Sequence, residues 1–195
     1  EQLIFYLIYM ALTAFIVMRG ISKGIEKSCK ILMPILFLFL LVLAVRSCTL
    51  PNAQQGVEFF LKPDFSKITP SVWLMALGQV SFSLSIGAGA GITYGSYLPK
   101  NENIPKDAVM IAGFDTLAAM LAGLAILPAV FADGKDPQSG PGLLFLMLPE
   151  VFSGMFAGSF FALLFFLLVL FAPITTTIAF LEVVVAFVVQ TFHFS

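Results

Sequence analysis

Between Ser81 and Tyr97 small hydroxyl residues and closely spaced glycines interrupt a long apolar segment. The chemistry open to such a run is coordination rather than bond making. Gly87, Gly89 and Gly91 each lower helix stability by about 1 kcal/mol relative to alanine. The backbone is therefore expected to break at about residues 83–91. Ser83 and Ser85 place side-chain oxygens where unwinding frees backbone groups or where an ion needs partners. Interrupted helices of secondary transporters hold substrate and coupling ions near the middle of the bilayer in this way. Two carboxylates add to the oxygen inventory. Asp115 lies in the first half of one apolar span and Glu182 in the second half of another. An acid at the bilayer centre costs about 2.5–3.5 kcal/mol on insertion scales, so intramembrane carboxylates are functional by default. For Glu182, pairing with a neighbouring helix or water is an equal structural reading.

These groups must be positioned by membrane helices. Val72 to Pro99 contains 28 residues without a charge, and one unbroken helix of that length would measure roughly 42 Å against a hydrocarbon core of about 30 Å. Tilt or a break absorbs the excess. Apolar residues make up 59% of the chain, charged residues only 11%, and mean hydropathy is +1.02; an average soluble domain is about 25% charged. The expected fold is all-α, a polytopic helical membrane protein. Five spans can be drawn at about residues 3–18, 31–45, 72–99, 108–132 and 159–189, with an outer connection over 133–158.

Basic residues set the orientation. Arg19, Lys23, Lys27 and Lys30 fall between the first two spans, and Lys100 and Lys106 between the third and fourth. Both loops are expected on the cytoplasmic side, which places the amino terminus outside and the carboxyl terminus in the cytoplasm. The first span lacks a basic leader and an evident cleavage site, so it does not read as a signal peptide. It begins almost at residue 1, as though earlier chain were missing. Cys29 and Cys48 bracket the second span and are about 28 Å apart at helical rise, too far to pair within one molecule.

The connection from Pro51 to Pro70 is polar and rich in turn signals, and Ser71 is placed to cap the following helix. In the outer connection, Leu143 to Leu148 is too short to span and is expected to rest on the outer mouth as a helix or hairpin. No soluble second domain is expected.

Enzyme chemistry finds little material. The glycine run matches neither a dinucleotide fingerprint nor a P-loop. One histidine excludes multi-histidine metal sites, and with no G-x-S-x-G around any membrane serine it leaves little material for a triad. Nucleic-acid binding is excluded by low charge and burial.

The order of motifs resembles a known family. Arg19-Gly-Ile-Ser-Lys-Gly-Ile-Glu-Lys27, Pro63-Asp-Phe-Ser-Lys67, Gly78-Gln79 with Phe82-Ser-Leu-Ser-Ile-Gly-Ala-Gly89, Ile92-Thr-Tyr-Gly-Ser-Tyr97 and Gly142-Leu-Leu-Phe-Leu-Met-Leu-Pro149 resemble successive landmarks of the neurotransmitter:sodium symporters. These include bacterial sodium-dependent amino-acid transporters. The resemblance covers essentially the whole chain and likens its spans to the family's fourth to eighth helices.

It implies a partial inverted-repeat transporter fold and a fragment of a sodium-coupled symporter for amino acids or related amines. The alternative is a non-transporting truncated remnant, or a membrane interaction subunit, lacking the first broken helix. Implied partners are the substrate, sodium ions, the lipid bilayer of the plasma membrane, and the absent helices or another carrier chain.

By the same resemblance, Ser83 and Asp115 match ligands of a first sodium site, and Ala172, Thr175 and Thr176 those of a second, each site only half present here. Hard cations prefer such oxygen ligands. The substrate pocket resembles Phe82, Ser83, Ser85, Ala88, Thr176 and Phe180. Phe82 corresponds to an aromatic lid, Gln79 to an outer-gate residue and Tyr97 to an inner-gate one.

Each residue also has a simpler reading. Gly87, Gly91 and Gly95 form a small-residue stripe suited to close packing. Thr175, Thr176 and Thr177 can bond back to their own helix. Phe82 and Phe180 are two of 22 phenylalanines. Met147 suits packing of the outer mouth, and His193 suits a terminal surface. Two positions depart from the family pattern. Gln190 stands where an inner-gate aspartate is usual, and Ala88 where a bulkier pocket residue is common.

Overall fold

A computed structural model describes residues 2–134, 145, 148–154 and 156–192. Regular structure among them is helical: α1 (Gln2–Met18), a π-helical turn (Ile21–Glu26), α2 (Lys27–Cys48), α3 (Gln54–Leu61), a 3-10 turn (Phe65–Lys67), α4 (Pro70–Ser83), α5 (Ala90–Ser96), α6 (Ile104–Ala132), α7 (Leu148–Ser153) and α8 (Gly158–Phe192). Three stretches are long and apolar enough to cross a bilayer: Lys23–Cys48, Ile104–Ala132 and Gly158–Phe192. Helix α1, with 17 residues, is at the lower limit for spanning. The segment 72–99 is split between α4 and α5.

Local chemistry accounts for several boundaries. Asn103 caps α6, its side-chain oxygen accepting from the Lys106 N–H at 3.2 Å. Pro105 follows in the first turn, where a missing N–H costs no helix bond. The 3-10 turn is capped by Asp64, which accepts from the Ser66 N–H at 3.1 Å and the Ser66 hydroxyl at 2.5 Å. These bonds, chiefly the hydroxyl one, and adjacent Lys67 hold the Asp64 carboxyl below its usual range.

The chain forms two compact units. The first comprises Glu1–Pro34, Ser71–Val109 and Leu170–Ser195. Its core is Val17, Ile25, Ile174 and Ile178, with Tyr9, Tyr94 and Phe171 packed against it. The second comprises Ile35–Pro70 and Met110–Val169. Its core joins Leu43 of α2, Ala129 and Val130 of α6, Val151 and Phe152 of α7, and Phe165 of α8. The Phe152 and Phe165 rings lie 5.5 Å apart.

Within the second unit, α3 lies directly on α6. A Cβ added at Gly56 would sit 2.6 Å from the Pro128 Cα and 2.8 Å from the Leu127 carbonyl oxygen. Both obstacles are backbone and cannot swing aside. Gly56→Ala is expected to destabilise this unit by about 1–3 kcal/mol, the usual cost of overpacking. A thermal-aggregation midpoint in detergent unchanged from the parent chain would rule out that contact.

Three sequence expectations need correction. Ser71 does not cap α4; the helix opens at Pro70, whose fixed φ suits the first helical position. The basic segment between the first two spans is no open loop, because Lys23 lies in the π turn and Lys27 and Lys30 in α2. Lys30 pairs with Glu26 one turn earlier at 2.6 Å, which favours helix here. The connection 51–70 contains α3 and the 3-10 turn. Most of the run 143–148, together with Met147 and His193, falls outside the described residues. Cys29 and Cys48 are both free.

Candidate functional site

The break between α4 and α5 is built from left-handed backbone. Ser85, Gly87 and Gly89 have φ of 52°, 89° and 81°, a region open to glycine and strained for serine. The regular ladder gives way to mixed turns. Ile86 N–H bonds the Ser81 carbonyl at 2.9 Å, five residues back, and Ala88 N–H bonds the Ser85 carbonyl at 3.2 Å. Gly89 then starts α5, its carbonyl accepting from Thr93 N–H at 2.9 Å. A Cβ added at Gly87, Gly91 or Gly95 meets no described atom within 4 Å. Close packing among the described residues therefore does not explain that glycine spacing; left-handed backbone accounts for Gly87 and, outside the stripe, for Gly89.

The broken segment is braced against α8. Gly89 approaches Val183, whose Cγ1 would lie 3.4 Å from an added Cβ. Tyr97, immediately after α5, donates its hydroxyl to Glu182 Oε1 at 2.8 Å. Glu182 is 7% exposed, so the tyrosine gives a buried carboxylate the partner that burial demands. The Tyr94 ring meets Tyr97 edge-on at 6.4 Å. Sequence singled out Tyr97 and Glu182 separately and missed their pairing. Separated by 85 residues, they give no local spacing signal.

Within α8, Thr175 donates to the Ala172 carbonyl at 2.8 Å and Thr177 to the Pro173 carbonyl at 2.8 Å. The back-bonding reading therefore holds for two of the three threonines. Thr176 is exposed and makes no hydrogen bond among the described residues. Of the expected second-site ligands, Ala172 and Thr175 are in direct contact. The Thr175 hydroxyl oxygen, having donated its proton, keeps lone pairs for a cation. The Ala172 carbonyl takes this hydroxyl in addition to its place in the continuous α8 ladder, so it would have to give up one of those bonds to take an ion.

All the expected substrate and gate residues, Gln79, Phe82, Ser83, Ser85, Ala88, Tyr97, Thr176 and Phe180, fall in the first unit, as do Ala172 and Thr175. Asp115 falls in the second, on α6. Phe82 is 81% exposed and Phe180 43%. Helix α4 has no buried residue, so no described segment covers the proposed lid.

Residues 2–195 match the sequence profile of the sodium:neurotransmitter symporter family. The chain belongs to the sodium:neurotransmitter symporter family. Over 185 residues it is 48% identical to an uncharacterized sodium-dependent transporter of Haemophilus influenzae, covering 94% of this chain and 40% of that protein. It is 46% identical over 180 residues to the uncharacterized sodium-dependent transporter YhdH of Bacillus subtilis, with coverage of 92% and 40%. A crystal structure of MhsT in complex with L-phenylalanine superposes with a TM-score of 0.86 at 44% identity, covering 96% of this chain and 43% of MhsT. This symporter-family chain thus spans about two fifths of the length of the curated relatives it matches. Membership, with helices long and apolar enough to span, makes it a multi-pass membrane protein of a sodium-dependent transporter family and not an enzyme.

Proposed function

We propose that this chain supplies one side of the transport site in a sodium-coupled symporter for amino acids or related amines. The observation that carries the reading is the broken α4–α5 segment, with Ser83 and Ser85, in the same compact unit as the Ala172–Thr176 turn of α8. Hydroxyls and backbone oxygens there suit sodium and the charged ends of a zwitterion. The phenylalanine bound to MhsT supports an amino-acid substrate. Ser83 and Asp115 are assigned to a first sodium site, Ala172, Thr175 and Thr176 to a second. Phe82, Ser83, Ser85, Ala88, Thr176 and Phe180 face the substrate, with Gln79 at the outer gate and Tyr97, held by Glu182, at the inner one. The amino terminus of the chain lies outside the plasma membrane and the carboxyl terminus in the cytoplasm.

Two sodium ions entering with a zwitterion each contribute about 2.3 kcal/mol per 100 mV and about 1.4 kcal/mol per tenfold gradient. Together they supply about 7 kcal/mol, enough for strong accumulation. Ala88 leaves volume where the family commonly has a larger side chain, so the favoured substrate is a large apolar or aromatic amino acid. In a complete carrier containing residues 2–195, Ala88→Phe is expected to shift preference toward small substrates by about 1–3 kcal/mol. A sodium-driven competition panel checks this. An unchanged substrate ranking counts against the pocket assignment, and uptake indifferent to sodium against the symport reading.

A further inference from the structure

We infer that Tyr9 of α1 is a positioning residue for the turn of α8 that carries Ala172, Thr175 and Thr176. The inference rests on assigning those residues to sodium, as proposed above. Pro173 has no N–H and removes one bond from the α8 ladder, yet the helix is continuous across it. The carbonyl of Pro173 accepts the Thr177 hydroxyl at 2.8 Å. The Tyr9 hydroxyl lies 2.8 Å from the same Thr177 oxygen. Because Thr177 has one hydroxyl proton and spends it on Pro173, Tyr9 must be the donor. The result is a directed chain from Tyr9 through Thr177 to the Pro173 carbonyl, between two elements of the first unit.

Both ends of this chain are anchored. Thr13, fully buried, donates to the Tyr9 carbonyl at 3.0 Å. The tyrosine packs on the core of Val17, Ile25, Ile174 and Ile178, and the last two residues bracket Thr175, Thr176 and Thr177. Ile174 and Ile178 fix the depth of the turn. The Tyr9 hydroxyl fixes the Thr177 rotamer and, through it, the carbonyl of the residue next to Ala172. An apolar contact gives no such angular control, because dispersion is non-directional whereas a hydrogen bond weakens steeply off axis. Tyr9 never touches the ion in this scheme; it sets the angle at which the Ala172 carbonyl and the Thr175 and Thr176 hydroxyls face it.

Tyr9→Phe removes the hydroxyl and keeps the ring in the core. In a complete carrier it is expected to raise the sodium concentration for half-maximal uptake about 3- to 10-fold, the range of one lost hydrogen bond. The maximal rate at saturating sodium and the membrane abundance should hold. Thr177→Val should give the same shift, and the double variant no more than either alone, since both cut one chain. Tyr6→Phe on the same helix, exposed to 62%, should leave sodium dependence unchanged. A Tyr9→Phe carrier with parental sodium dependence, or one losing only rate or abundance, overturns the inference. So do single-variant shifts that add in the double. Thr176→Val in the same assay separates the two levels. If it leaves sodium dependence unaltered, the sodium-site reading itself fails; if it shifts while Tyr9→Phe does not, only the positioning role fails.

Discussion

Replacing Thr176 by valine in a complete carrier is expected to raise the sodium requirement of transport by about tenfold to a hundredfold. Valine keeps the shape of threonine and removes the oxygen. Thr176 is the one hydroxyl of the triplet that neither bonds back to α8 nor receives a bond from α1 among the described residues. Its exposed oxygen is therefore available to an ion or a ligand. A hydrogen bond or ligand contact to a charged group is worth about 1.5–3 kcal/mol, which sets the size of the effect. Uptake measured against sodium concentration reads it. Thr175→Val should do the same and also release the Ala172 carbonyl. A Thr176→Val carrier with the parental sodium curve would remove the second sodium site from the account.

Asp115→Asn carries the other large expectation. By family resemblance, carriers with a neutral residue at this position often recruit chloride, and several bacterial relatives supply a carboxylate instead. We predict that the carrier works without chloride because the Asp115 carboxylate balances sodium charge where an uncompensated ion would be expensive. Ala119, one turn further along α6, offers neither a hydroxyl for chloride nor a second acid. Two opposite charges about 4 Å apart attract by roughly 4 kcal/mol at an effective dielectric of 20. Asparagine retains an oxygen ligand, so the expected fall in sodium affinity is at least about tenfold rather than the whole of that attraction. Added chloride should restore part of it. Chloride-dependent uptake before mutation, or unaltered sodium affinity after it, would show that Asp115 has another role.

The broken helix was legible because three glycines and two serines fall within a charge-free run too long for one straight span, although glycines at that spacing suit close packing as well. Its execution, with Ser85 itself left-handed, was not, since a serine carries no conformational signal of that kind. Helix α3 was hidden in a connection that reads as polar and punctuated. Its Gly56, which looks like a helix breaker, is there because α6 backbone comes too close for any side chain.

Pairings between helices were beyond reach for a different reason. Nearly every face of a membrane helix is apolar, so periodicity identifies spans without showing which faces meet. Tyr97 and Glu182, and Tyr9 and Thr177, separated by 168 residues, are joined only by the fold. The basic cluster between the first two spans was read correctly as charge and incorrectly as loop. Orientation rules count charges without asking what backbone carries them.

The most direct test of the transport site is the binding of labelled amino acids to a purified complete carrier containing residues 2–195, with sodium or potassium as the sole alkali cation. Saturable binding of a large apolar or aromatic amino acid is expected in sodium, at least about tenfold weaker in potassium, and weakened again by Ser83→Ala in the broken segment. Equal binding in the two cations, or no amino acid bound in either, would contradict the proposed transport site.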